Sequence, residues 1–216
     1  MGEKLVIFMD FDGTISREDV CNKMAARYAG RDWEKINRLW EEGGITTGEC
    51  ASRILSSMEV GAAELEAFFQ AQEVDPGFSR FLDWVQERQH LPIILSDGYD
   101  RYIKSVLRSQ GWEIEFYANK LYWDDAWRME SPYLDEECSK CGVCKSKIIQ
   151  ERSLPGYLTV YIGDGYSDFC PAASCDIVFA KNELAGYCRK EGLTYYPYRD
   201  FHDILQQLPG IVRKKV

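Results

Sequence analysis

Two carboxylates follow an apolar run near the start of the chain, where residues 5–9 lead directly into Asp10 and Asp12. A short apolar run that stops at polar residues and a glycine is typical of a buried strand followed by a tight loop. Two further aspartates, Asp164 and Asp168, follow another apolar run later in the chain. Four carboxylates brought together would repel one another unless a hard cation lay among them, and Mg²⁺ prefers oxygen ligands. The pattern therefore predicts a Mg²⁺ site.

A metal site of this kind has phosphate as its natural ligand. A carboxylate can accept a phosphoryl group when a metal offsets the repulsion between the anions and when Lys and Ser side chains hold the phosphoryl oxygens. Ser96 follows another apolar run, which lies between the two already described, and Lys145 stands nineteen residues before Asp164. The sequence thus contains each part that phosphoryl transfer to a carboxylate requires.

Strands and helices alternate along the sequence. Apolar runs predict strands over residues 5–9, 91–95, 114–119, 158–162 and 177–180, and the strand over 91–95 is expected to end before Ser96. Amphipathic segments between them predict helices, and residues 120–145 are expected to form a β-hairpin or a loop. Repeated strand–loop–helix units favour a Rossmann-like α/β fold with a parallel sheet, helices on both faces and ligands at the carboxyl ends of the strands. The polar loops described above all fall at that end.

About sixty residues of helical pattern separate the first predicted strand from the second. A parallel crossover needs only one helix, so the surplus indicates an inserted helical cap. We expect the cap to span residues 16–75 and the α/β core to span residues 1–15 and 76–216.

Four motifs in this order resemble the haloacid dehalogenase superfamily of phosphohydrolases. Asp10-Phe11-Asp12-Gly13-Thr14 matches the first motif, Ser96 the second, Lys145 the third and residues 163–168 the fourth. The position of the predicted cap, of the C1 type, resembles the phosphoserine phosphatase branch. The resemblance extends over the whole chain.

This resemblance implies a role for each motif residue. Asp10 is expected to be the nucleophile and Asp12 the general acid and base, while Ser96 and Lys145 hold the phosphoryl group. The expected Mg²⁺ ligands and their supports are Asp10, Asp12 (through its carbonyl), Asp164 and Asp168. Contacts to phosphate or substrate are expected from Phe11, Gly13, Thr14, Glu18, Asp19, Asp97 and Gly98.

Simpler explanations exist for several of these residues. Aspartates at strand ends are often turn formers or helix caps, and the charges of Glu18 and Asp19 would also suit a helix N-terminus. Lys147 competes with Lys145 for the third motif. The second motif usually reads Ser-Gly-Gly, but here Asp97 takes the place of the first glycine. Its side chain would lie near the phosphate, which leaves the choice of substrate open.

A cysteine cluster precedes the third motif. Cys138, Cys141 and Cys144 have the spacing of zinc ligands, but a structural zinc site needs a fourth ligand, for which Cys50, Asp135 or another subunit's cysteine are candidates. Thiols that close a loop, or a regulatory disulfide, are the alternatives. The cluster resembles that of the methionine-salvage phosphatases, which hydrolyse a hydroxyketo-methylthiopentenyl phosphate, and more loosely that of phosphoethanolamine/phosphocholine phosphatases.

The composition narrows the classes of partner. The net charge of −9 argues against a nucleic-acid ligand, and the basic cluster Arg213–Lys215 suggests a solubilising tail. The N-terminal apolar run is too short for a signal peptide or a membrane span, so a cytoplasmic location is the default. The sequence predicts a Mg²⁺-dependent phosphatase of a small phosphorylated metabolite. It leaves the oligomeric state open, with a homodimer as one alternative. The alternatives are a phosphoserine or phosphoethanolamine/phosphocholine phosphatase and, in another class, a catalytically silent module that binds a metal or a partner.

Overall fold

Strands and helices alternate in the computed structural model, which describes residues 3–138 and 140–215. The strands in this part of the chain are β1 (Lys4–Met9), β2 (Leu91–Tyr99), β3 (Glu115–Asp124), β4 (Ala126–Glu130), β5 (Tyr157–Gly163), β6 (Ile177–Ala180) and β7 (Tyr196–Pro197). Its α-helices are α1 (Val20–Tyr28), α2 (Trp33–Glu41), α3 (Thr47–Leu55), α4 (Ala62–Gln70), α5 (Phe78–Glu87), α6 (Asp100–Gln110), α7 (Lys145–Arg152), α8 (Phe169–Ala172), α9 (Asn182–Glu191) and α10 (Phe201–Lys215). The mostly parallel strand pairing confirms the predicted α/β class.

The chain divides into two compact units. The first comprises Met1–Arg17, Val74–Ile94 and Lys145–Val216, and the second comprises Glu18–Glu73 and Leu95–Cys144. Strand β2 therefore begins in the first unit and ends in the second. The division into a core of residues 1–15 and 76–216 and a cap of residues 16–75 stays a prediction.

The first unit is built on a parallel sheet in the order β2, β1, β5, β6, β7. Residues 5–9 of β1 are completely buried, because β1 lies between β2 and β5 and is covered on both faces. The register pairs Met9 with Ile94 on one side and with Ile162 on the other. The loops that follow β1 and β5 consequently begin at the same edge of the sheet.

Helices α5 and α10 of the first unit pack through aromatic side chains. The rings of Phe78 and Phe81 lie 4.8 and 5.0 Å from that of Phe201. The basic residues Arg213–Lys215, expected as a tail, instead form the last turn of α10. Cationic side chains at a helix C-terminus interact favourably with the helix dipole, which explains their position.

The second unit contains helices α1–α4 and α6 together with a hairpin of β3 and β4. The hairpin pairs Trp123 with Trp127, which confirms the expectation of a hairpin within residues 120–145. The Trp127 indole donates a hydrogen bond to the Val60 carbonyl (3.0 Å), so the hairpin is attached to the segment before α4.

Strand β2 is longer than the sequence predicted. The expected strand ended before Ser96, but β2 continues to Tyr99. Ser-Asp-Gly is a turn-like sequence, yet β3 lies beside β2 in the strand order, and Asn119 of β3 donates to the Asp97 carbonyl (2.8 Å). Tertiary pairing therefore overrides the local preference.

None of the helices within residues 3–138 and 140–215 combines the length and the apolar character that a membrane span needs.

Candidate active site

The loop after β1 is folded tightly around one carbonyl group. The Phe11 carbonyl accepts hydrogen bonds from the amides of residues 14, 15 and 16 and from the Ser16 hydroxyl (3.0 Å), which in turn accepts from the Gly13 amide (3.1 Å). Gly13 has a φ of 69°, and a Cβ on it would lie 2.6 Å from Asp164 Oδ2. Glycine is thus required both by the backbone conformation and by the approach of Asp164.

Asp10 is buried and paired with a lysine that is 135 positions away in the chain. Lys145, the first residue of α7, donates from its Nζ to Asp10 Oδ1 (2.7 Å), Asp168 Oδ1 (2.6 Å) and Ser167 Oγ (2.9 Å). Asp10, Lys145 and Asp168 are only 5%, 2% and 0% exposed. Lys147, the competing candidate for this position, is exposed. The structure therefore places Lys145, and not Lys147, against the predicted nucleophile.

Asp168 organises the loop that follows β5. Its Oδ2 accepts the amides of Asp164 (2.8 Å) and Gly165 (3.0 Å), and its Oδ1 accepts the Tyr161 hydroxyl (2.6 Å) as well as Lys145. Because protein donors engage both carboxylate oxygens, Asp168 holds the loop and the lysine in fixed positions.

Asp164 is oriented from both sides. Thr14 Oγ1 donates to its Oδ1 (3.0 Å), and Asn182 Nδ2 donates to its Oδ2 (3.2 Å). The Thr14 hydroxyl also lies 3.3 Å from the buried Tyr198 hydroxyl. Thr14, which the sequence suggested as a phosphate contact, thus supports Asp164.

Burial and neighbouring carboxylates raise the pKa values of Asp10 and Asp164. The pKa of Asp10 is well above its usual range because of burial and because of the charges of Asp168, Asp164 and Asp12, although Lys145 opposes the rise. Burial and the charge of Asp168 raise the pKa of Asp164 to about 6. Burial lowers the pKa of Lys145, but its two carboxylate partners reverse this and raise it above the ordinary value. The site therefore contains more negative charge than its one buried cation offsets.

This donor set fits a hard divalent cation. One carboxylate oxygen from each of Asp10, Asp164 and Asp168 lies within 4.8 Å of the others. Oxygen ligands and a surplus of negative charge are the features that Mg²⁺ sites share. Asp168 is fully buried and accepts more protein hydrogen bonds than Asp10 or Asp164, so these two are the carboxylates better suited to bind the metal directly.

The second unit contains the predicted residues of the second motif and of the segment after the first motif. Ser96 is buried, and its hydroxyl accepts the Gly98 amide (3.0 Å). Asp19 caps α1 by accepting the Asn22 amide (2.8 Å), as the alternative explanation of this residue predicted. Glu18 forms an ion pair with Lys23 (2.8 Å).

The cysteine cluster does not form a metal site within residues 3–138 and 140–215. No cluster of metal-ligand type in this part of the chain includes Cys138, Cys141 or Cys144. The Cys144 thiol instead donates a hydrogen bond to Asp135 Oδ2 (3.8 Å), the residue considered as a fourth ligand, and Cys138 is exposed. The structure gives the zinc prediction no support.

Four residues of the site were not identified from the sequence. Tyr161, Ser167, Asn182 and Tyr198 contact Asp168, Lys145, Asp164 and Thr14, respectively. Ser167 stands inside the fourth motif and could have been found there. The other three carry no spacing signal, since their roles arise only when distant segments meet.

Comparisons with known proteins identify a family that matches most of the chain. The family model of haloacid dehalogenase-like hydrolases matches residues 7–172. A protein of Lysinibacillus sphaericus (strain C3-41) named 2-hydroxy-3-keto-5-methylthiopentenyl-1-phosphate phosphatase is 29% identical over 212 residues, covering 94% of this chain and 93% of its own. A protein of the same name from Bacillus pumilus (strain SAFR-032) is 27% identical over 218 residues, covering 99% and 94%.

Solved structures share the fold. A phospho-aspartyl intermediate analogue of phosphoserine phosphatase superposes with a TM-score of 0.72 at 20% identity, covering 96% of this chain and 99% of its own. A haloacid dehalogenase family hydrolase from Salmonella enterica serovar Typhi has a TM-score of 0.74 at 16% identity, covering 95% and 71%.

The chain belongs to the haloacid dehalogenase-like hydrolase family. The prediction of an enzyme, a phosphatase of this superfamily, is confirmed by the family match and by the names of the relatives.

Proposed function

We propose that the protein is a Mg²⁺-dependent phosphomonoesterase that works through an aspartyl-phosphate on Asp10. The observation that supports this most directly is the buried pair of Asp10 and Lys145, with Nζ 2.7 Å from Oδ1. The lysine holds one carboxylate oxygen in place, and the other oxygen can then act as the nucleophile.

In the first step, a carboxylate oxygen of Asp10 attacks the phosphorus atom. An oxygen–phosphorus bond forms on Asp10 as the bond between phosphorus and the leaving-group oxygen breaks. Asp12 donates the proton that the leaving oxygen needs. Lys145 offsets negative charge on the transferred group, and Ser96, by its match to the second motif, would hold a phosphoryl oxygen.

Mg²⁺ would be held by Asp10, Asp164 and the carbonyl of Asp12. When bound, it supplies positive charge that offsets the repulsion between the carboxylates and the phosphate. Thr14 and Asn182 keep Asp164 oriented toward that position, since each donates to one of its oxygens.

The second step regenerates the enzyme. Asp12, now ionised, accepts a proton from water, and the water oxygen attacks phosphorus. The bond between phosphorus and Asp10 breaks, inorganic phosphate leaves, and the Asp10 carboxylate is restored. One residue thus serves as acid in the first step and as base in the second.

We further propose that the substrate is a small phosphorylated metabolite, the hydroxyketo-methylthiopentenyl phosphate of methionine salvage. Support comes from relatives that carry this name and align with 94% and 99% of the chain. The second unit supplies a helical segment in which specificity can reside, because the parts of the site that do the chemistry are common to many substrates.

Hydrolysis of p-nitrophenyl phosphate tests the reaction class. We expect turnover that needs Mg²⁺, is abolished by chelator, and falls at least about 1,000-fold in Asp10→Asn because the nucleophile is lost. The exposed Asp83→Asn on α5 is the matched control and should retain activity. Equal, negligible turnover in wild type and Asp10→Asn would favour the catalytically silent module instead.

A panel of phosphorylated metabolites tests the substrate. The methionine-salvage phosphate should give the highest kcat/KM, compared with phosphoserine, phosphoethanolamine and phosphocholine. If phosphoserine or either of the amine phosphates is hydrolysed more efficiently, the substrate assignment is wrong while the reaction class stands.

A further inference from the structure

Asp97 is connected to three separate segments of the second unit. Its Oδ2 accepts the Thr47 hydroxyl (2.8 Å), and its Oδ1 accepts the Val143 amide (2.9 Å). Asn119 Nδ2 donates to the Asp97 carbonyl (2.8 Å) and lies 3.4 Å from its Oδ1. Helix α3, strand β3 and the segment between Cys141 and Cys144 therefore meet at one side chain.

The partners of Asp97 are themselves buried and connected. Thr47 and Val143 are buried, and Asn119 is fully so. The Thr47 hydroxyl also accepts the Trp40 indole (2.9 Å), which extends the network to α2, and the Thr47 amide donates to the Lys140 carbonyl (3.1 Å). Helix α3 is thus joined to the 140–143 segment twice, once directly and once through Asp97.

Gly142 shows how closely this segment approaches β3. A Cβ on Gly142 would collide with the Asn119 side-chain amide, whose Nδ2 would lie only 2.7 Å away. The segment between Cys141 and Cys144 therefore follows a path that Asn119 and Asp97 define. Cys144 is held in addition by its amide, which donates to the Tyr133 carbonyl (2.9 Å).

We infer that Asp97 is a positioning residue, which fixes helix α3 and the segment 140–144 relative to one another, rather than a direct ligand of the substrate. Both of its carboxylate oxygens accept hydrogen bonds from the protein, and hydrogen bonds to a charged acceptor are the stronger kind. Residue 144 is followed directly by Lys145, so the restrained segment ends at the lysine that pairs with Asp10. For its consequences in catalysis, this inference rests on the proposed function.

Amide hydrogen exchange tests the inference without any need for activity. In Asp97→Ala the Val143 amide loses its acceptor, and we expect its exchange rate to rise at least about 10-fold. In Asp97→Asn an amide oxygen can still accept from Val143 while the NH₂ group donates to Thr47, so exchange should stay within about 3-fold of wild type. Thr47→Val, which removes one partner only, should show an intermediate rise and is informative even if Asp97→Ala does not fold.

Kinetics separate positioning from direct recognition of the substrate. We expect Asp97→Ala to lower kcat about 10-fold for both p-nitrophenyl phosphate and phosphoethanolamine, and to change KM less than about 3-fold. Asp97→Asn should recover at least a third of the wild-type kcat. A direct charge contact predicts that Asn and Ala are equally defective and that KM rises for the amine substrate alone. That result, or equal exchange at Val143 in the two variants, would overturn the inference. Inactivity of the wild type itself would count against the proposed function and leave the exchange test intact.

Discussion

Replacing Lys145 by Met removes the buried ammonium that joins Asp10 and Asp168. At an effective dielectric constant of about 20, each contact, at 2.7 and 2.6 Å, corresponds to roughly 6 kcal/mol of attraction. Burying the ammonium costs several kcal/mol, which offsets much of this, and breaking such a pair from one side typically costs about 3–5 kcal/mol because a charge is left uncompensated. We expect a loss of that size in the free energy of unfolding at pH 8.

The loss should depend on pH. The pKa of Asp10 is already raised in the folded protein, so the protonated carboxyl favours folding at low pH and this stability is lost as the pH rises through the raised value. Without Lys145 the pKa rises further. The variant should therefore differ less from wild type at pH 5, where the carboxyl can be neutral, than at pH 8.

Urea unfolding followed by circular dichroism, in chelator and at both pH values, measures these differences. Lys147→Met is the matched control, since Lys147 lies two residues further along α7 and is exposed, and it should change stability by less than about 0.5 kcal/mol. Equal losses in the two variants, or a loss in Lys145→Met that is the same at pH 5 and pH 8, would refute the buried charge network.

Three further predictions concern the surroundings of the site. Thr14→Val removes the donor to Asp164 Oδ1 (3.0 Å), so about 10-fold more Mg²⁺ should be needed to give the same rise in Tm. Thr14→Ser keeps the hydroxyl and should need the same Mg²⁺ concentration as wild type. Gly13→Ala places a Cβ 2.6 Å from Asp164 Oδ2 and should lower the free energy of unfolding by at least about 2 kcal/mol more than Gly43→Ala. Gly43 is the control because it has a similar φ of 73° and open space around it. Equal losses in the two variants would mean that only the backbone conformation matters. Burial lowers the pKa of His90 from 6.5 to about 4, so the native state binds fewer protons than the unfolded state in this range. The free energy of unfolding should therefore fall by up to about 3 kcal/mol as the pH falls from 6.5 to 4. Urea unfolding of His90→Gln should lack this part of the pH dependence.

The catalytic motifs could be recognised from sequence because local physics marks them. Three of the four, at Asp10, Ser96 and Asp164, lie where an apolar run ends, and buried parallel strands require such runs. Met9 and Ile162 are neighbours in the sheet, so the polar residues after β1 and β5 begin at one edge, as the repeated strand–loop–helix pattern predicted. The α/β class and the phosphatase family follow from the same signals.

The partners of these residues were decided only by tertiary structure. Lys145 and Lys147 have equivalent local surroundings in the sequence, but the 100° rotation per residue along α7 places one against Asp10 and leaves the other exposed. Ser96-Asp97-Gly98 was expected to follow the strand, but β3 lies beside β2 and the strand continues through these residues.

The sequence by itself therefore determined the fold class and the family, and it predicted which side chains would carry the chemistry, since residue type and the ends of apolar runs are local properties. Tertiary structure decided how those side chains are held. The Thr14 hydroxyl meets Asp164 across 150 positions, and Asp97 meets Thr47 across 50 and Val143 across 46. Such contacts depend on how whole segments pack, and no periodicity or spacing within a single segment encodes them.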